Sequence, residues 1–192
     1  MILEVLWRQL VGTGSEHLIL NVDHGILADS MSVGEIENAA YRVRYEIACN
    51  AQWQVERVRV ENLLTQRATT MVRDEHNRWC DEQAYAFDAL DGCSDVDIMT
   101  TPFTNTLPIR TLNLKPGESK EIAVVYFGLP DFAPVRFEQR YTCLERDESG
   151  GLYRYENTKS AFTADLKVDS DGLVLEYPGI FVMEAKRQLA SS

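Results

Sequence analysis

Asp95 and Asp97 stand two residues apart in Ser94-Asp-Val-Asp97, ahead of Thr100-Thr-Pro102 and Asn105-Thr-Leu-Pro-Ile-Arg110. On an extended backbone this spacing projects both carboxylates to one side, roughly 6 to 7 Å apart, a separation usable by a paired acid and base or by a divalent cation. A structural alternative stands beside it: Asp91-Gly-Cys-Ser94 supplies turn chemistry, and one carboxylate, Asp97 by preference, pairs with the Arg110 guanidinium. Asn105 can accept one sugar hydroxyl and donate to another, although Asn beside Thr also satisfies its own backbone. Pro102 and Pro108 bias Thr101 and Leu107 toward extended conformations, so the segment is expected to be a rigid turn between two strands.

Gln139 is a second polar candidate, because alternation places it on the apolar face of its strand between Phe137 and Tyr141, where an unbonded amide costs free energy. Glu138, a conceivable partner for Asp95 or Asp97 in catalysis, falls on the opposite face. Tyr141, Tyr153, Tyr155 and Tyr177, with Trp53 and Trp79, offer flat faces for a sugar ring or an acyl chain, and each is equally a core residue. Known catalytic patterns are missing: Gly12-Thr-Gly-Ser15 lacks the ending of a phosphate loop, and no nucleophile elbow occurs. Asp169-Ser-Asp171-Gly172 opens like a calcium loop, but Ile180 occupies the bidentate Glu position, so it is expected to be a hairpin turn. His17, His24 and His76 are read as surface or capping residues, and the four cysteines as small buried hydrophobes. No metal or cofactor is expected.

The elements that must position these groups show a period of two. Tyr41, Val43, Tyr45, Ile47 and Cys49 alternate with polar residues, as do Val135 to Cys143 and Phe162 to Val168. Further strands are expected at Leu3–Trp7, His17–Val22, Gln54–Val60, Ala68–Arg73, Arg110–Leu114, Glu121–Phe127, Leu152–Glu156 and Leu173–Tyr177. Helix is confined to Gln83–Leu90, Phe103–Leu107 and the tail Glu184–Ala190. Lys115-Pro-Gly-Glu118 suits a type II turn, and Glu148–Gly151 and Ser170–Gly172 suit hairpins. The fold class is therefore mostly β, a single domain over 1–192 in which an antiparallel sheet covers its apolar face by curling on itself. A curled sheet encloses a groove that can hold an acyl chain, each buried methylene contributing about 0.8 kcal/mol.

The order Asp-Val-Asp, Thr-Pro, Asn-Thr-Leu-Pro-Ile-Arg, then Gln139-Arg-Tyr141, Val168–Val174 and Tyr177-Pro-Gly179 resembles that of the bacterial glycolipid-binding protein family, and Trp7 with Glu16 and Tyr41 through Trp53 also fit. Its pattern carries a second basic residue where Thr111 stands here. The resemblance runs from about Trp7 to Phe181 and implies a spiral β-roll, like the half-barrels of lipoprotein carriers, and a lipid or glycolipid ligand. The expected ligand set is Asp97, Asn105, Arg110, Gln139, Tyr141, Tyr153, Tyr155 and Tyr177, with the acyl part on the inner face of the roll.

Composition narrows the alternatives. At 192 residues with a net charge of −11 and 19 scattered basic side chains, the chain is unsuited to nucleic acid or an anionic membrane. Its opening Met1-Ile-Leu-Glu4 lacks the basic start of a signal peptide, and Ile122–Leu129 is too short to insert into a bilayer, so the cytoplasm is expected. Two other functions remain open, an enzyme of sugar or glycolipid metabolism using Asp95 or Asp97, and a non-catalytic protein-interaction module.

Overall fold

Alternating strands account for most of the chain in the computed structural model, which describes residues 1–23 and 25–190; His24 lies outside the described residues. Fourteen strands run in order: β1 Ile2–Gln9, β2 Thr13–Asn21, β3 Ile26–Ile36, β4 Ala39–Cys49, β5 Val55–Asn62, β6 Arg67–Arg73, β7 Trp79–Cys80, β8 Cys93–Ile98, β9 Ser119–Phe127, β10 Pro134–Asp147, β11 Gly150–Asn157, β12 Thr163–Asp169, β13 Val174–Tyr177 and β14 Phe181–Leu189. They form one sheet in the order 7-6-5-4-3-2-1-14-13-12-11-10-9-8, curled but not closed. The mostly β, curled single-domain fold expected from alternation is present.

The two edges of the sheet meet through side chains instead of a ladder. Arg73 of β6 donates to the carbonyls of Cys93 (2.8 Å) and Ser94 (2.6 Å) in β8, and Trp79 Nε1 of β7 donates to Cys93 O at 3.1 Å. Arg73 also stacks over the Trp79 ring at 4.0 Å. Such a seam uses the exposed backbone acceptors of an edge strand that would otherwise invite another chain.

One pairing departs from the antiparallel expectation. β8 and β9 are parallel, which demands a crossover between them. That crossover is the Thr100–Leu112 segment, a 3₁₀ turn at Phe103–Asn105 followed by a single short helix, α1, at Thr106–Leu112. All residues from Thr100 to Ile109 are buried. The segment meets both halves of the sheet: Ser32 Oγ of β3 donates to Thr100 O (2.8 Å), Phe103 stacks on Tyr45 of β4, and Tyr141 OH of β10 donates to Asn105 Oδ1 (2.8 Å). The chain thus fills the hollow of its own roll.

The expected rigid turn between strands, and the expected strand Arg110–Leu114, are replaced by this plug. Pro108 occupies the first turn of α1, where its missing N–H would have no helical partner anyway, and burial of Leu107 and Ile109 outweighs the extended bias proline gives its predecessor. α1 ends at Asn113, in the left-handed region at φ 46°.

Other corrections have local causes. Gln83–Leu90 holds only a three-residue 3₁₀ turn at Asp88–Leu90, because Asp81 Oδ1 captures the backbone N–H groups of Gln83 and Tyr85, both at 2.9 Å. The tail is strand β14, not helix, since it pairs with β1 across Ile2–Gln9. β3, absent from the expected strands, joins β2 to β4. Gly117 at φ 87° and the Glu118 N to Lys115 O bond at 2.9 Å match the expected type II turn.

Turns of the meander alternate between two rims. Those of β1–β2, β3–β4, β9–β10, β11–β12 and β13–β14 form one, called upper here; those of β2–β3, β4–β5, β10–β11 and β12–β13 form the lower. The plug enters at the upper rim and leaves at the lower. The four cysteines are buried and unpaired, as expected.

Candidate functional site

The upper rim opens on a cavity of about 460 Å³ whose walls include Tyr126, Phe137, Tyr155, Phe162, Tyr177 and Phe181 and whose polar groups include Asp97, Thr101 and Asn105. β8 delivers Asp97 there, and the plug delivers Thr101 and Asn105. The rings touch one another: Tyr141 and Tyr155 centroids lie 5.5 Å apart edge to face, Tyr155 and Phe162 6.0 Å, Tyr155 and Tyr177 6.3 Å.

Asp97 is held at both oxygens. Thr104 Oγ1 donates to Oδ1 at 3.0 Å, and Gln139 Nε2 donates to Oδ2 at 2.5 Å. Burial raises its carboxyl above the ordinary range against the pull of these two donors. Gln139 is itself buried, so the amide that the alternation of β10 put on the apolar face has its partner in Asp97. Asn105 accepts from Tyr141 OH and donates to Pro102 O at 3.3 Å, the backbone-satisfying role weighed for it, while also lining the cavity. Replacing Gln139 by Leu leaves Asp97 Oδ2 without its donor; about 1 to 3 kcal/mol of stability is expected to be lost in urea unfolding, with the Asp97 carboxyl pushed further up in carbon-detected NMR titration.

Of the eight expected ligand residues, Asp97, Asn105, Gln139, Tyr141, Tyr155 and Tyr177 gather around this end. Arg110 and Tyr153 do not. Arg110 leaves α1 at the lower rim, its guanidinium 4.9 Å from the Trp53 ring centroid, and no Asp97–Arg110 ion pair forms. The cause is again α1, which carries Arg110 down the roll instead of back to β8. Tyr153 and Tyr155 share a face of β11, but that strand runs between the rims, so they serve opposite ends.

The alternative carboxylate pair is not assembled in the cavity. Asp95 is buried toward the seam, with Ser94 Oγ donating to Oδ2 at 3.2 Å and Oδ1 unpartnered among the described residues; burial raises it to about 6, with Ser94 and Arg73 opposing. Glu138 lies outside, bridged to Lys159 (2.5 Å) and Arg136 (3.0 Å). Asp169 to Gly172 is the hairpin turn expected: Asp169 Oδ1 accepts the N–H groups of Asp171 and Leu173, both at 2.9 Å. Among the described residues no group of three His, Cys, Asp or Glu is placed to hold a metal ion.

Sequence reasoning passed over Glu16 as a chemical group. Its Oε1 accepts from Tyr45 OH (2.5 Å), Ser30 Oγ (2.7 Å) and Thr101 Oγ1 (2.8 Å), while Oε2 has no partner among the described residues. Burial raises the carboxyl to about 7 against those three donors. Thr101 also lines the cavity, so Glu16 stands one hydroxyl behind its wall. The signal was available: Glu16 alternates in register with Leu18 and Leu20, the argument that singled out Gln139.

A curled open β-roll with a plugged hollow and an aromatic cavity at one rim is the class these features define. The chain belongs to the family described as "Putative glycolipid-binding", which it matches over residues 4–183. A crystal structure of a DUF1089 family protein from Pseudomonas aeruginosa is similar, with 36% identity, a TM-score of 0.76, and coverage of 87% of this chain and 91% of that one. No curated protein matches the chain.

Proposed function

We propose that the protein binds a glycolipid or related amphiphile at the upper rim, its sugar head in the aromatic cavity and its apolar chain along the mouth. The observation that carries this reading is the pairing of ring faces with fixed hydrogen-bonding groups, Asp97, Thr101 and Asn105, in one cavity of about 460 Å³. Val11, Met99 and Phe162, exposed by 46%, 37% and 42%, give the mouth its apolar surface, with the exposed Glu37 also in the lining. A head group met by polar side chains below and a tail met by apolar ones above fits an amphiphile. The acyl part is assigned to the mouth because the inner face, where the groove of a roll would receive it, is occupied by Thr100–Ile109.

Binding is favoured over turnover because, of the two carboxyls lining the cavity, Asp97 is already engaged at both oxygens and Glu37 is exposed in the β3–β4 turn. Family membership supports the same reading, and the four unpaired buried cysteines suit a reducing bacterial cytoplasm. No helix among the described residues is long and apolar enough to cross a membrane.

Native mass spectrometry of protein purified without detergent, followed by solvent extraction, is expected to release a defined amphiphile in near-stoichiometric amount. An apo mass that persists after incubation with lipid extract would count against the proposal. Phe162→Asp, at an exposed position, is expected to weaken amphiphile binding about tenfold or more by placing a charge on the apolar path, with circular dichroism unchanged.

A further inference from the structure

We propose that the lower rim carries a second, independent site, one that binds the phosphate of a small polar phosphomonoester through Arg110 and Arg146. A cavity of about 480 Å³ opens there, lined by both arginines together with Gln52, Trp53, Asn113 and Tyr153. It differs in kind from the upper cavity, being walled mainly by polar and charged side chains, the Asp147 and Asp169 carboxylates among them.

Both arginines are anchored by one nitrogen each and keep the rest of their donors free. Arg110 Nη1 makes a long bond to Asp171 O (3.4 Å), and its stem passes Gly172, where a Cβ would stand 3.0 Å from Arg110 Cδ. Arg146 Nη1 donates to Asn113 Oδ1 (2.6 Å) and Leu114 O (3.5 Å). Nε and Nη2 of both groups donate to nothing among the described residues, and neither guanidinium is ion-paired there, unlike Arg8, Arg44, Arg57, Arg59, Arg78, Arg136, Arg140, Arg154 and Arg187. Arg42, Arg67 and Arg73 also lack an ion pair among the described residues, but Arg110 and Arg146 line one cavity together, and that shared placement suits an anion from outside. Both share the lining of this cavity with the Tyr153 phenol.

The carboxylates at this rim are already engaged, Asp147 by its own turn and Asp169 and Asp171 by Lys186 of β14. Asp147 Oδ1 accepts Ser149 N (2.7 Å) and Oγ (2.6 Å), while Asp169 and Asp171 share Lys186 at 2.6 and 2.5 Å. A planar fork of N–H donors matches a phosphate edge bidentately, and two forks suit its dianion. Trp53 holds a left-handed backbone at φ 67°, a conformation bulky residues rarely adopt, which presents its ring under Arg110 at this rim.

The fluorescence of Trp53 provides the readout, because Trp7 and Trp79 are buried. Titration with a hexose 6-phosphate at low salt is expected to change emission saturably, with glucose inert and the response weakening as salt rises. Arg110→Gln or Arg146→Gln should each weaken binding about tenfold or more. Arg110→Lys and Arg146→Lys, which keep the charge and guard against a folding defect, should retain part of it. Phosphatidate-containing vesicles run in parallel separate the sources: saturable binding to the soluble ester assigns a free solute, and binding to vesicles alone, lost in the same variants, assigns a lipid head. No saturable binding to either probe, or binding indifferent to both Gln variants, overturns the proposal. Phe162→Asp should leave this response intact, so failure here is distinct from failure at the upper rim.

Discussion

Raising the pH from 5 to 8 is expected to lower the unfolding temperature of this protein, by on the order of 10 °C. Glu16 and Asp95 are the cause. Burial lifts Glu16 from 4.5 to about 7 and Asp95 from 3.8 to about 6, so the folded state holds protons that the unfolded chain has released. A raised carboxyl contributes stability that is fully present below its unfolded value and is lost as pH climbs through the folded one. At about 1.4 kcal/mol per pH unit, each group represents on the order of 3 kcal/mol, and most of the Glu16 share and roughly half of the Asp95 share fall between pH 5 and 8. Asp97 adds in the same direction.

Competing groups act outside this window. Asp74, Glu138, Asp147 and Asp165 have lowered carboxyls, whose contribution is lost only as pH falls below the ordinary carboxylate range. The cysteines and tyrosines with raised values titrate far above it. Glu16→Gln offers a direct control, since an amide oxygen can accept from Tyr45, Ser30 and Thr101 without carrying charge. It should match or exceed the parent at pH 8 and remove more than half of the slope. A melting temperature that stays level or rises across the window would sink the assignment.

Much of this architecture was legible because alternation is a local property. Tyr41 to Cys49 and Val135 to Cys143 fold as their period of two dictates, and Gln139 betrayed itself by breaking the pattern of β10. Glu16 broke the pattern of β2 in the same way, but its three hydroxyl partners come from β3, β4 and the plug, separated from it by 14, 29 and 85 positions. Nothing local tells a buried carboxyl with donors from an exposed one.

The plug was only partly legible: helix was expected over Phe103–Leu107, where a 3₁₀ turn runs into α1, but its continuation to Leu112 and its place inside the roll were not. Pro102 and Pro108 are compatible with an extended turn and with the start of a helix, and only burial of Phe103, Leu107 and Ile109 against the sheet decides between them. That one local decision relocates Arg110 by the length of the roll, which separates it from Asp97 and divides one expected site between two rims. β14 likewise became a strand because β1 needed a partner on its second edge, a requirement that its own residues do not announce.

Phe103→Ala is expected to be among the most damaging single substitutions, costing about 3 to 5 kcal/mol in urea unfolding. Phe103 is fully buried and stacks on Tyr45, ring centroids 6.4 Å apart at an interplanar angle of 14°. Domains of this kind have about 5 to 15 kcal/mol in all, so the variant should remain folded at low temperature with little margin. What it leaves behind is an apolar void in the middle of the roll, and voids of that type stay dry and admit small apolar molecules. Benzene should therefore raise the melting temperature of Phe103→Ala and leave that of the parent unchanged. Phe103→Leu, which keeps most of the volume, should cost less and bind little. A loss under about 1 kcal/mol would mean that the sheet collapses onto the space or that Thr100–Ile109 is not tightly packed, and the inner face would then be available to a natural ligand after all. The size of that one loss decides whether the roll is a filled scaffold carrying sites at its rims or a carrier with a movable stopper.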